Sequence, residues 1–100
     1  MKILYNPQRA DEKITYTFRG ETIAAEHNGK SDIFDFSSVP EGRMRLFDDE
    51  GNSLMETVLD VNPIMLVMRV DGILHVELIN YIGEDATDNE RYPDWLNVTD

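Results

Sequence analysis

KITYTFRGETIAAEHNGKSDIFDF, residues 13–36, contains three strand-like runs separated by two short turns. Its first run alternates, with Ile14, Tyr16 and Phe18 on one side and Thr15 and Thr17 on the other. A two-residue turn at Arg19-Gly20 is expected to pair Phe18 with Glu21, Tyr16 with Ile23, and Ile14 with Ala25. Asn28-Gly29 favours the positive φ of a type I′ turn, whose twist matches that of paired antiparallel strands. It pairs Ala25 with Asp32, Ile23 with Phe34, and Glu21 with Phe36. One face then collects Ile14, Tyr16, Phe18, Ile23, Ala25, Phe34 and Phe36, and the other carries Thr15, Thr17, Thr22, Ala24 and Ile33. Three strands that agree on one apolar side specify a sheet.

A second hairpin lies at Asp71-Gly72, between Ile64 to Val70 and Ile73 to Tyr81. The turn pairs Val70 with Ile73, Met68 with His75 and Leu66 with Glu77. On the opposite face Arg69 meets Leu74, Val67 meets Val76, and Met65 meets Leu78. Both faces are largely apolar, so this hairpin is expected to be central and covered on both sides. Between the two units, Val39-Pro40-Glu41-Gly42 reads as a proline-led turn and Arg43 to Phe47 as a short strand. Asp48 to Ser53 reads as a polar loop, Leu54 to Val61 as a returning strand, and Asn62-Pro63 as the break after it. Gly83 to Asp100 changes character. It is acidic, with Arg91 its only basic residue, yet it holds Tyr92, Pro93, Trp95, Leu96 and Val98. A turn or a single helical turn is expected at Thr87 to Glu90, with Trp95 docking back on the sheets.

Composition narrows the functional classes. One hundred residues, 41% of them hydrophobic, suit one globular domain with a core of its own. The absence of cysteine excludes disulfides, cysteine zinc sites and thiol nucleophiles. Nine basic residues against 20 acidic ones give a formal charge of −11, which repels phosphate and anionic lipid. Met1 to Pro7 lacks the pattern of a secretory leader, and the apolar run Ile64 to Met68 is far short of a membrane span. The expectation is a protein that is cytoplasmic when synthesised.

Chemistry-bearing patterns are sparse. His27 precedes the Asn28-Gly29 turn and reads as an exposed hairpin-tip residue. His75 shares a face with Glu77, but a metal site needs three or more convergent ligands, and the register supplies none. Asp48-Asp49-Glu50-Gly51-Asn52 imitates the start of a calcium loop, but Thr57 stands where the far acidic ligand belongs. Ser37-Ser38 lacks the glycine context of a nucleophile elbow, and the six glycines are scattered among turns. Asn97-Val98-Thr99 matches the glycosylation tripeptide, which has no meaning without a secretory leader. The five methionines sit mostly in strands, where methionine serves core filling or an adaptable interaction surface.

The run Ile82-Gly83-Glu84-Asp85-Ala86-Thr87, followed by Glu90-Arg91-Tyr92-Pro93-Asp94-Trp95, resembles the ending of small uncharacterised proteins of bacteriophage and prophage genomes. These come from Gram-positive hosts and from the tail or structural gene region. Met1 to Pro7 and Asp35-Phe36-Ser37-Ser38-Val39-Pro40 are similar too. The resemblance implies a phage origin and a role in assembly or interaction, and it carries over no catalytic residue.

The sequence therefore predicts an all-β, antiparallel two-sheet sandwich or partly open barrel of about seven to eight short strands. It forms a single β domain over residues 1–100, with the acidic segment 83–100 docked on it. The expected function is a non-enzymatic protein–protein interaction module in phage tail or virion assembly. No catalytic, cofactor-binding or metal residue is assigned, and no cofactor is expected. The partner is another protein, phage or host, without direct nucleic-acid or membrane binding; homo-oligomers and association with the virion are compatible. The alternatives are an acidic DNA mimic that blocks a host nucleic-acid-binding protein, and a small ligand-binding barrel or enzyme.

Overall fold

The computed structural model describes residues 1–98. Thr99 and Asp100, the end of the acidic segment and of the glycosylation tripeptide, lie outside the described residues. The elements in chain order are β1 (Lys2–Arg9), β2 (Ile14–Arg19), β3 (Thr22–His27), β4 (Lys30–Asp35), β5 (Gly42–Arg43), β6 (Ile64–Val70), β7 (Ile73–Ile82), α1 (Asp88–Arg91) and β8 (Leu96–Asn97). They form two sheets: a five-stranded one in the order β5-β6-β7-β1-β8, and the three-stranded meander β2-β3-β4. Neither sheet closes into a barrel. No helix among the described residues is long and apolar enough to cross a membrane.

The meander's faces fall as the alternation predicts. Ile14, Ile23, Ala25, Phe34 and Phe36 are buried, and Ile33 stands exposed on the opposite side. The β3–β4 register follows from Asn28-Gly29, whose φ values of 52° and 77° are the paired positive angles of a type I′ turn. The first turn is displaced. Gly20-Glu21 is the two-residue loop, so Arg19 pairs with Thr22, Phe18 with Ile23, Tyr16 with Ala25 and Ile14 with His27. The cause is steric. Arginine resists positive φ, so Gly20, at φ 59°, takes the first central position, as in a type II′ turn. The shift is two residues, which keeps every side chain on its face.

The second hairpin turns at Asp71-Gly72, with φ values of 52° and 79°, in the expected register from Val70↔Ile73 to Leu66↔Glu77. Beyond Leu66 a bulge intervenes, and Leu78 faces Ile64 rather than Met65. Met65 is the extra residue. The two sides of this hairpin are covered unequally. Val67, Leu74, Val76 and Leu78 are buried against the meander, whereas Val70 and Ile73 on the other side are exposed.

The expected strand Leu54 to Val61 does not form, and Arg43 to Phe47 contributes only β5 and an isolated bridge from Phe47 to Ser53. The stretch from Leu54 to Pro63 packs as irregular chain. It plugs Leu59 into the core and ties itself to the edge of β4, where the Thr57 hydroxyl (2.7 Å) and the Val58 amide (3.2 Å) donate to Asp32. Strand β1 lies parallel to β7 over eight residue pairs, so the larger sheet is mixed rather than wholly antiparallel. Pro7 lies beyond the short β8 pairing, where β7 is the only strand alongside β1 among the described residues.

Core residues come from both sheets and from the connections: Ile3, Ile23, Phe34, Phe36, Leu46, Leu59, Ile64, Val67, Leu74, Val76 and Leu78. Two polar clasps cross between the layers. The Tyr16 hydroxyl donates to the Ile79 carbonyl, and burial raises the Tyr16 pKa. Arg69 donates to both carboxylate oxygens of Glu21 (2.8 and 3.1 Å) and to the carbonyls of Val39, Phe36 and Gly72. This bidentate bond holds the Glu21 carboxyl below its usual range and raises the Arg69 pKa. At the acidic end, Thr87 caps α1 in a capping box with Glu90, as the single expected helical turn.

Candidate interaction surface

The outer face of the five-stranded sheet is built by the pleat. Because successive side chains alternate, the buried set Val67, Leu74 and Val76 forces Leu66, Met68, Val70, Ile73, His75 and Glu77 outward. Cross-strand pairing then lines up rows on that face. One row reads Arg43, Met68, His75, Lys2, Asn97, from β5 through β8. A neighbouring row reads Leu66, Glu77, Leu4, and on the other flank Val70 pairs with Ile73 at the turn.

The apolar content of this face is poorly covered. Val70 and Ile73 are 44% and 45% exposed, and Met44 and Phe47 beside β5 are exposed as well. A groove of about 360 Å³ opens next to this face, lined by Arg43, Met44, Leu46, Phe47, Met65 and Leu66. None of the five methionines is fully buried, and Met44, Met65 and Met68 stand at this face or its groove. Trp95 lies edge-on against His75, ring centres 5.2 Å apart.

The two histidines have separate fates. His27 is 2% exposed, not a hairpin-tip residue. The displaced first turn sets it opposite Ile14 on the inward face, with Tyr81 6.0 Å away and Glu12 Oε1 3.2 Å from Nε2. Its Nδ1 is buried with no hydrogen-bond partner among the described residues. His75 and Glu77 share the outer face as the alternation predicts, but each is engaged elsewhere. His75 Nδ1 lies 2.9 Å from the Ile73 carbonyl, and the Glu77 carboxylate accepts from Asn6 Nδ2 at 3.1 Å.

The polar loop after Phe47 is organised by Asp48, whose carboxylate accepts from the amides of Glu50 and Asn52 (both 2.9 Å). Those amides hold the Asp48 carboxyl below its usual range. Ser37 donates its amide to Asp35 Oδ1, a local turn contact. Among the described residues, no group of three or more His, Asp or Glu side chains is positioned to hold a metal ion. What sequence reasoning missed is the contribution of β1. Lys2-Ile3-Leu4-Tyr5 alternates in and out, and that pattern was the available signal.

The geometry defines a mostly-β protein of two sheets, one mixed and one antiparallel, with apolar side chains exposed at the hairpin end of the larger sheet. Comparison with protein-family models, with curated proteins and with solved structures finds no match to this chain.

Proposed function

We propose that this chain is a non-enzymatic protein–protein interaction module that works through the outer face of its five-stranded sheet. The carrying observation is the exposure of Val70 and Ile73 at the hairpin end, continued along β6 by Met68 and Leu66 toward the groove that Met44 and Met65 line. Leaving apolar surface in water costs about 25 cal/mol per Å², and contiguous exposed apolar patches mark interaction sites. Methionine-rich surfaces adapt to a partner's shape. The resemblance of Ile82 to Trp95 to phage proteins adds a setting, the assembly of a phage tail or virion, with a phage or host protein as the partner.

The acidic segment belongs to the same reading. We infer that residues 83–98 dock on the sheet, with Trp95 as the anchor. Three contacts support this: the Trp95–His75 packing, the pairing of β8 with Lys2 and Ile3, and the Val98 amide donating to the Met1 carbonyl at 2.9 Å. The DNA-mimic alternative draws no comparable support, since Glu21, Asp32, Asp48 and Asp60 are spent on internal hydrogen bonds.

The test is cross-linking followed by affinity purification from cells that make the native partners, comparing the unchanged chain with Val70→Asp/Ile73→Asp. The variant should keep its circular dichroism and lose the cross-linked partner. A partner retained in full by the variant would show that this face is not the interface.

A further inference from the structure

The same face carries an unusual charge for so acidic a molecule. Four of the nine basic side chains have no ion pair and no side-chain hydrogen bond among the described residues: Lys2, Lys13, Arg19 and Arg43. The other five are held by Glu84, Asp60, Asp49 and Glu21 and by the Glu84 carbonyl. Lys13 and Arg19 stand at opposite ends of the β2 segment. Lys2 and Arg43 stand in one cross-strand row, with Met68 and His75 between them. Among the described residues, no acid near this row is ion-paired with Lys2 or Arg43. Glu77 accepts from Asn6, Glu41 accepts from the Asp71 and Gly72 amides, and Asp94 accepts from the Trp95 amide.

We propose that the outer face of the five-stranded sheet binds an extended, acidic and apolar segment of a partner protein. Its carboxylates lie on Arg43 and Lys2, and its aliphatic side chains lie on Met68, Leu66 and the adjoining groove. The inference rests on the interaction reading above and names the chemistry of the partner. Charge complementarity selects the occupant: among the described residues this row presents two cations with no ion pair, on a chain of formal charge −11.

Spacing sharpens it. Arg43 and Lys2 are three strand spacings apart, roughly 14 Å. An extended chain rises about 3.3 Å per residue, so acids four residues apart span nearly that distance and point to the same side. The residue midway between them also points down, onto Met68 and the Trp95 ring that packs on His75. A nucleic acid shares the anionic chemistry but offers no aliphatic groups for Met68, Leu66, Val70 and Ile73. Its backbone would also meet the acids that cover the rest of the surface.

The probe is a synthetic peptide, Ser-Glu-Val-Leu-Thr-Glu-Val-Ser, titrated into isotope-labelled full-length protein and followed by amide chemical shifts. Saturable shifts are expected at Lys2, Arg43, Met68 and His75. The double variant Lys2→Glu/Arg43→Glu should weaken binding about tenfold or more, and Lys2→Gln/Arg43→Gln by less. A peptide with lysine in place of both glutamates should leave the Lys2, Arg43, Met68 and His75 amides unshifted. The proposal is overturned if the acidic peptide gives no saturable shift at millimolar concentration, if its shifts map elsewhere, or if charge reversal leaves its affinity unchanged. It is also overturned if a DNA duplex or anionic vesicles perturb the same amides as strongly. Sedimentation showing that a second copy of the chain occupies this face would overturn it too. Loss of the native partner by Val70→Asp/Ile73→Asp, together with its retention by Lys2→Glu/Arg43→Glu, would leave the interaction reading standing and remove the acidic-segment inference.

Discussion

Arg69 shows how one charged side chain fixes the relation of two sheets. It lies on the inward face of β6, in line with Val67, and an unpaired cation there would be costly to bury. Glu21, beside the first turn of the meander, supplies the bidentate carboxylate, and three carbonyls take the remaining donors. The sign of its pH dependence follows. The folded state holds the Glu21 carboxyl below its ordinary value of 4.5, mainly through the hydrogen bonds from Arg69. Its stabilisation is therefore fully present above that value and is lost as pH falls through the lower, folded-state value. Between pH 5 and pH 3 the urea midpoint of Glu21→Gln should fall less steeply than that of the unchanged protein. Parallel pH profiles of the two proteins would mean the pair contributes nothing to acid sensitivity.

Among the elements, the two-residue turns do most to set register. Asn28-Gly29 and Asp71-Gly72 put both central residues at positive φ, whereas the first turn moves one residue along so that glycine, not arginine, takes the strained position. Gly29 has open space around it, so alanine there meets no clash, but its φ of 77° is one that a β-carbon resists. Gly29→Ala should cost about 1–2 kcal/mol in chemical denaturation. An unchanged midpoint would show that the β3–β4 register does not depend on this turn. The loss of the expected strand at Leu54 to Val61 belongs to this scale too. Its apolar residues are real, but Thr57 and Val58 bond the Asp32 side chain rather than a neighbouring backbone, and Leu59 enters the core from an irregular chain. Alternation over a short stretch cannot tell a strand from a loop that buries every second residue.

At the scale of the molecule, one face of the larger sheet is closed by the meander, and the other carries Trp95 against His75 and the exposed hairpin end at Val70 and Ile73. If the acidic segment docks as proposed, the only tryptophan of the chain is partly shielded by His75 in the folded protein. Acrylamide should then quench its fluorescence less in the folded protein than after unfolding in urea. Equal quenching in both states would leave Trp95 without a docking role. If a partner covers the face, quenching should fall further when it binds, which would mark Trp95 as an interface anchor.

Local geometry is set by neighbouring residues alone. Period-two alternation and the Asn-Gly and Asp-Gly turns specify the faces of the meander and of the second hairpin, because positive φ and pleat are properties of a few adjacent residues. The turn expected at Thr87 to Glu90 is local in the same way, and the structure closes it as a capping box on α1. Packing between distant elements decided that β1 runs parallel to β7, that His27 is enclosed, and that Val70 and Ile73 at the hairpin end stay exposed. It also decided that Lys2 and Arg43, forty-one positions apart, share a row. Each of these depends on which distant element comes to lie alongside, and a two-sided apolar strand offers either face equally. The choice falls to the packing of the two sheets, where burial of the whole core outweighs any local preference.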